Sequence, residues 1–270
     1  MSYKLIALDL DGTLNNSERK ITPKTKEALI KAQEHGVRVA LVSGRPAPGL
    51  VREANELNLK EHNGLLVSFN GAKVVDATTG ECVYEKTLEL DQAKRVLNYI
   101  KDLKVCAMIN KGDYCLTTDI NGYMVDYETS ANNLKPMEVK DLRDTIDFKP
   151  CKILISAEPE YLSTVVDKIK EPFEGELSIY FSAPYFLEVV SNGIDKGSTL
   201  KELCPRLGIT EKEIMAFGDE RNDLTMLTVA GLGVAMGNAN EEVKAIADKI
   251  TLSNDEDGIA HTLKEIFDFI

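Results

Sequence analysis

Histidine is scarce in this chain, three in 270 residues. His35, His62 and His261 stand too far apart for an H-x-H or H-E-x-x-H pair, which argues against a histidine-built metal centre. Cysteine is used sparingly and in an odd number. Cys82, Cys106, Cys115, Cys151 and Cys204 include no C-x-x-C pair, the pattern of free thiols in a reducing compartment, not of a disulfide framework. None has the C-x5-R setting of a thiol phosphatase. No apolar run approaches the roughly 18 residues of a membrane-spanning helix. The opening MSYKLIALDL is too short and too acidic for a secretory signal, so a cytoplasmic protein with no membrane partner is expected. Basic charge is in deficit, 32 Lys and Arg against 44 Asp and Glu, for a net charge of -12. Such a surface repels nucleic-acid backbones and anionic lipid, yet leaves room for a local basic pocket around a small anion. Glycine fingerprints are missing too: Gly231-Leu232-Gly233 lacks G-x-G-x-x-G, and Lys196-Gly197-Ser198 lacks the upstream glycine of a nucleotide P-loop.

What the chain does have is 43% hydrophobic residues, ample for a sizeable core, arranged as alternating strand and helix signals. Lys4–Leu10, Val37–Val42 and Leu65–Phe69 are apolar runs suited to strands buried on both faces of a parallel sheet. Between the first two, Thr22-Pro23 opens a helix and Gly36 closes it. The rhythm changes near residue 72. Ala72–Asp76 with Glu81–Lys86, and Lys104–Asn110 with Tyr114–Thr118, read as hairpins. Helices over Asp91–Leu103 and about 160–170, and strands over Lys152–Ala157, Leu177–Phe181 and Phe186–Val190, complete an α+β segment. From Lys196 the α/β rhythm returns, with helices over Ser198–Leu207, Asp223–Ala230, Glu241–Ala247 and Gly258–Phe267. The strands there are Ile214–Phe217, Leu232–Ala235 and Ile250–Leu252. The expected fold is α/β: a doubly wound, Rossmann-like parallel-sheet core of residues 1–83 and 189–270, with an inserted α+β cap over 84–188. Ligands of such sheets bind at the carboxyl ends of the strands, here expected beneath the cap.

Four segments at those strand ends carry chemistry. Asp9-Leu10-Asp11-Gly12-Thr13 sets two carboxylates two residues apart, and both stay ionised only with a cation between them. A hard divalent ion such as Mg²⁺ suits these oxygens, and Mn²⁺ can substitute in the same site. Ser43-Gly44-Arg45 offers a hydroxyl and glycine-freed N–H groups for phosphate oxygens, and Lys196 can add a cation. Phe217-Gly218-Asp219-Glu220-Arg221-Asn222-Asp223 supplies Asp219 as a further metal ligand, with Asn222 and Asp223 to orient ligands or Lys196. Each segment also has a plainer reading: an Asp-Gly turn, a structural serine, a solvated lysine, a helix cap. Together, carboxylates, a lysine and a hydroxyl at the ends of one sheet match metal-assisted phosphoryl transfer.

The order of these motifs resembles that of the haloacid dehalogenase superfamily phosphatases. Phe69-Asn70-Gly71-Ala72, Gly233-Val234-Ala235-Met236-Gly237-Asn238-Ala239 and Asp257-Gly258 resemble its Cof-type subgroup with a large α/β cap. Ser182-Ala183-Pro184-Tyr185-Phe186-Leu187-Glu188 is similar to the YidA-like sugar phosphatases within it. The resemblance implies that Asp9 is the nucleophile and Asp11 the acid–base. Asp9, the backbone carbonyl of Asp11, and Asp219 would hold Mg²⁺. Leu10, Ser43, Gly44, Lys196 and Asn222 would bind the phosphoryl group, with Asp223, Gly12 and Thr13 in support. Arg45, Asn70, Tyr185 and Glu188 are candidate substrate contacts; the alternatives are a helix cap or salt bridge for Arg45, an Asn-Gly turn for Asn70 and a core position for the aromatic Tyr185. The implied activity is hydrolysis of a small phosphorylated metabolite. A phosphosugar mutase and a non-catalytic sugar-phosphate sensor stay open beside it, as do the substrate itself and the oligomeric state.

Overall fold

Short apolar runs without polar alternation become strands covered on both faces, and the computed structural model, which describes residues 3–270, is built on five of them. In chain order the first elements are β1 (Leu5–Leu8), α1 (Pro23–Glu34), β2 (Arg38–Val42), α2 (Val51–Glu56), β3 (Leu65–Ser68), β4 (Lys73–Asp76) and β5 (Cys82–Glu85). Then come α3 (Leu90–Ile100), β6 (Cys106–Lys111), β7 (Tyr114–Thr117), α4 (Val125–Ala131), β8 (Lys135–Glu138), α5 (Leu142–Thr145) and β9 (Ile153–Ser156). They are followed by α6 (Pro159–Lys170), β10 (Leu177–Ala183) and β11 (Phe186–Ser191). The chain closes with α7 (Lys196–Leu207), β12 (Ile214–Gly218), α8 (Leu224–Val229), β13 (Leu232–Ala235), α9 (Glu241–Ile246), β14 (Lys249–Ile250) and α10 (Gly258–Ile266).

The residues divide into two units, one running through Tyr84 and resuming at Asp195–Ile270, the other Glu85–Ile194. The first holds an eight-stranded sheet among the described residues, ordered β14-β13-β12-β1-β2-β3-β4-β5. The strands from β14 to β3 pair in parallel, and the register sets Leu8 beside Leu41 on one side and Phe217 on the other. Side chains alternate between two cores. Ile6, Leu8, Val39, Leu41, Met215 and Phe217 face α1 and α10, whereas Leu5, Ala7, Ala40, Val42, Ile214 and Ala216 face α7, α8 and α9. Neighbouring β1 joins β2 on one flank and β12 on the other, so the strand order reverses there, and in such sheets the carboxyl ends at that reversal are where ligands bind.

The α/β core holds as expected, with one antiparallel member: β4 returns antiparallel to β3, because the turn between them is too short for a crossover. The second junction differs in place from residue 188, the units dividing after Ile194. β11 pairs with β9 and β10 through Val189 and beyond, which places residues 189–194 in the inserted unit. That unit has its own six-stranded sheet, β10-β11-β9-β6-β7-β8, with α3, α5 and α6 packed on one face over Ile109, Leu116, Ile153, Ile155, Leu187 and Val189. On the other face Met108, Cys115, Leu154 and Phe186 pack with Val125 of α4. Residues 119–151 carried no readable signal for α4, β8 or α5. The four residues of β8, Lys-Pro-Met-Glu, are all exposed at a sheet edge, and so show no hydrophobic period.

Candidate active site

Each carboxyl-end loop of the parallel strands contributes one part. Asp9 follows β1 directly, and its N–H donates to the carbonyl of Phe217 at 3.1 Å, so the β1–β12 ladder continues into the loop. Lys196 is the first residue of α7, not a residue before it, because Asp195 caps the helix by accepting from the Ser198 N–H at 2.8 Å. That places the ammonium at zero exposure, where it donates to Asp9 Oδ1 at 2.5 Å and Asp223 Oδ1 at 2.6 Å. The other oxygen of Asp223, Oδ2, accepts the N–H groups of Asp219 at 2.9 Å and Glu220 at 3.0 Å. Asp223 therefore shapes the loop after β12 and positions Lys196 at the same time. Thr13 Oγ1 donates to Asp219 Oδ1 at 2.7 Å and ties the first loop to the fourth.

Oxygens of Asp9, Asp219 and Asp223 lie within 4.8 Å of one another, all three residues buried. Burial pushes the Asp9 carboxyl well above the ordinary aspartate value, with Asp223 and Asp219 adding to it and Lys196 opposing. Burial likewise pushes Asp219 up to about 6. Lys196 feels the reverse: burial works against its charge, but Asp9 and then Asp223 outweigh it and leave the pKa above that of an ordinary lysine. Three carboxylates against one contacting ammonium is a deficit of positive charge. The donors are all oxygen, so a hard divalent cation fits the set.

Gly12 lies beneath this cluster at φ +85°, and a Cβ there would stand 2.2 Å from Asp219 Oδ2. Gly12→Ala is expected to displace Asp219, to cost about 1–3 kcal/mol from the backbone conformation alone, and to cut turnover at least about tenfold. Thermal unfolding and the rate of turnover measure the two effects, and wild-type values in both would show that the loop relaxes freely.

Ser43 follows β2, is buried, and accepts the Arg45 N–H on Oγ at 3.2 Å. The Arg45 side chain forms a two-pronged pair with Asp11, Nε to Oδ2 at 2.8 Å and Nη2 to Oδ1 at 2.5 Å, on a carboxylate about half exposed. Of the readings open for Arg45, this is the salt bridge. Asn70, in the turn after β3, accepts from Asn222 Nδ2 at 3.1 Å, so it stands with the four motifs. Leu10 is fully buried, and its carbonyl accepts the Asn15 N–H at 2.9 Å, closing the loop around Gly12 and Thr13.

Tyr185 and Glu188 belong to the inserted unit. Glu188 is not a free carboxylate there: it is buried, accepts from Lys152 Nζ at 2.9 Å and from Tyr180 Oη at 3.3 Å. The Tyr185 ring packs edge-on against Phe186 and Tyr127. Two asparagines escaped the sequence argument as structural parts of the site. Asn238 donates to the Gly12 carbonyl at 2.8 Å and accepts the Asn254 N–H at 3.0 Å, while Asn254 Nδ2 donates to the Asn15 carbonyl at 2.9 Å. Asn238 follows β13 and Asn254 follows β14, the next two strands along the same sheet, and that position was the available signal.

Comparison with known proteins places this arrangement. The model of one family, haloacid dehalogenase-like hydrolase, matches residues 6–263. A solved haloacid dehalogenase-like hydrolase from Bacteroides thetaiotaomicron is 39% identical, with a TM-score of 0.94 over 98% of this chain and 100% of that one. The 5-amino-6-(5-phospho-D-ribitylamino)uracil phosphatase YitU of Bacillus subtilis (strain 168) is 31% identical, aligned over 97% of each chain. Phosphatase YwpJ of the same organism is 30% identical over 97% of this chain and 99% of its own. No helix of the described residues is long and apolar enough to cross a membrane.

Proposed function

Because the chain belongs to the haloacid dehalogenase-like hydrolases and is a phosphatase of that family, we propose that it hydrolyses small phosphomonoesters, sugar phosphates foremost. The observation that carries this reading is the buried Asp9–Lys196–Asp223 chain. Lys196 holds Asp9 by Oδ1 alone, and among the described residues Oδ2 makes no hydrogen bond. That oxygen is the nucleophile. It forms a bond to phosphorus as the bond from phosphorus to the ester oxygen breaks, giving an aspartyl phosphate and a leaving alkoxide.

Released from Arg45, Asp11 takes a proton from solvent and gives it to the alkoxide as that group leaves. It then takes one from the water whose oxygen attacks phosphorus and frees Asp9, a role worth typically about 10²–10⁴-fold. Both Asp11 oxygens are held by Arg45, so proton transfer requires the guanidinium to let go. An incoming phosphate dianion competes for that guanidinium. The N–H groups of Leu10 and Gly44, the Ser43 hydroxyl, Lys196 and the Asn222 amide take the phosphoryl oxygens, whose charge rises in the transition state. Asp9, Asp219 and the backbone carbonyl of Asp11 would hold one Mg²⁺, or Mn²⁺ in its place, which when bound supplies positive charge against those oxygens. The choice of leaving group falls to the inserted unit Glu85–Ile194. The relative named for a phosphorylated ribityl compound supports a polyol or sugar phosphate as the class of substrate.

Phosphate release from a panel of hexose, pentose and nucleotide phosphates, pyridoxal phosphate and a chromogenic ester tests the proposal. Release is expected with Mg²⁺ and not with EDTA, and folded, Mg²⁺-supplied protein that releases none would overturn it. The pH dependence of stability follows from Asp219. Between about pH 4 and 6 the metal-free folded protein holds a proton there that the unfolded chain has lost. This contribution to metal-free stability therefore falls as pH rises through that window, and Mg²⁺, which needs the carboxylate, should raise the melting temperature more at pH 7.5 than at pH 5. An equal shift at both values would remove Asp219 from the metal site.

A further inference from the structure

Three consecutive residues after β3 have positive φ: Phe69 at 54°, Asn70 at 54° and Gly71 at 106°. Glycine adopts this region freely and asparagine tolerates it, but a bulky Phe there is an outlier that the surroundings must hold in place. The surroundings are the phosphate-binding segments themselves. Phe69 N–H donates to the Arg45 carbonyl at 3.0 Å and Asn70 N–H to the Ser43 carbonyl at 2.9 Å, fastening the turn to the loop after β2. The Gly71 carbonyl accepts from Thr199 Oγ1 at 2.9 Å, fastening it to the first turn of α7, where Lys196 sits. A Cβ on Gly71 would lie 2.4 Å from that Thr199 oxygen and 2.9 Å from the Asp195 carbonyl, so no larger residue fits there. The Asn70 side chain reaches the third segment, its Oδ1 accepting from Asn222 Nδ2 at 3.1 Å. Its amide also lies over Gly44, where a Cβ would come within 3.2 Å of Asn70 Nδ2.

We propose that Asn70 is the positioning residue of the phosphoryl site: it turns the Asn222 amide and seats the Gly44 backbone against one rigid turn that also braces the helix of Lys196. An amide on a short linker carries two N–H groups. With one spent on Asn70 Oδ1, the second N–H of Asn222 has a single direction left, and an oxyanion can meet it without the amide having to reorganise. The strained Phe69-Asn70-Gly71 backbone gives Asn70 a position that no loop of ordinary conformation would hold as narrowly. Asn70 acts through Asn222 and Gly44 and needs no contact with substrate. The proposal rests on the phosphatase reading, since it concerns the groups assigned there to the phosphoryl oxygens.

Asn70→Gly separates the two parts of the role, because glycine keeps the left-handed backbone and its N–H but removes the amide. The full chain with Mg²⁺ is assayed for release from a chromogenic ester and for binding of inorganic phosphate by calorimetry. Asn70→Gly is expected to weaken phosphate binding about tenfold and lower kcat/KM by a similar factor or more, with the melting temperature close to wild type. Asn222→Ala should give the same loss, and the double variant should be no worse than Asn222→Ala alone. Wild-type phosphate affinity and kcat/KM in Asn70→Gly would overturn the proposal, as would losses that multiply in the double variant. A wild-type protein that turns over no ester, yet binds phosphate with the Asn70→Gly deficit, would sink the phosphatase reading and leave this inference standing. Absence of phosphate binding in the wild type would sink the inference.

Discussion

Asp9→Asn is expected to lower phosphate release at least about 10⁴-fold while the metal-free protein melts at the same or a higher temperature. The first half follows from the chemistry: an amide oxygen is no nucleophile toward a phosphate ester, and no other carboxylate oxygen occupies its place. The second half follows from electrostatics. Asp9 is buried, and its ionised form is disfavoured by that burial and by Asp223 and Asp219 nearby. Asparagine has the same shape, still accepts from Lys196 through its oxygen, and removes one of three negative charges from the cluster. A coupled assay for phosphate and a thermal melt without metal read the two together. Near wild-type release would remove Asp9 from the chemistry. A marked fall in melting temperature would mean that its charge, not its shape, holds the loop.

Lys196→Met is expected to do the opposite to stability. The ammonium is fully buried between Asp9 and Asp223, and methionine of similar length leaves two carboxylates facing each other without a cation. Removing one member of a buried charged network typically costs about 3–5 kcal/mol, which for a chain of this size lowers the melting temperature by roughly 10 °C. Activity should fall at least about 10³-fold, since a donor to both the nucleophile and the phosphoryl group is lost. Mg²⁺ should recover part of the stability by supplying positive charge to the same carboxylates. The double variant Asp9→Asn/Lys196→Met should recover part of it without metal. If Lys196→Met melted like wild type, or the double variant lay below it, the buried charge balance would not be what holds these four loops together.

How much of this was legible beforehand varies with the range of the interaction. The apolar runs of β1, β2, β3 and β12 needed only local pattern, because a strand covered on both faces shows as an unbroken hydrophobic segment. The reading of Asp9-Leu10-Asp11-Gly12-Thr13 as a strand-end carboxylate pair was equally local. Lys196 alone looked like a surface lysine; its burial depends on α7 starting at Lys196 behind its Asp195 cap and on carboxylates 187 and 27 positions away in sequence. Glu188 looked like a candidate contact at a junction, but its partner Lys152 stands 36 residues earlier, just before the neighbouring strand β9. In the inserted unit, β8 shows no period because all four of its residues are exposed at a sheet edge, and α4 and α5, of seven and four residues, are too short to show a helical one.

The amino-acid sequence by itself determined the kind of protein this is: an α/β chain whose strand ends carry four aspartates, a serine, a lysine and an asparagine in an order that implies phosphoryl transfer. Only the tertiary structure decided how those groups are shared out. Lys196 goes to Asp9 and Asp223, Arg45 to Asp11, Thr13 to Asp219 and Asn70 to Asn222. The physical reason is register. Which side chains meet across parallel strands is set by how the strands slide against one another and by where each loop leaves the sheet, and those quantities come from packing the whole core.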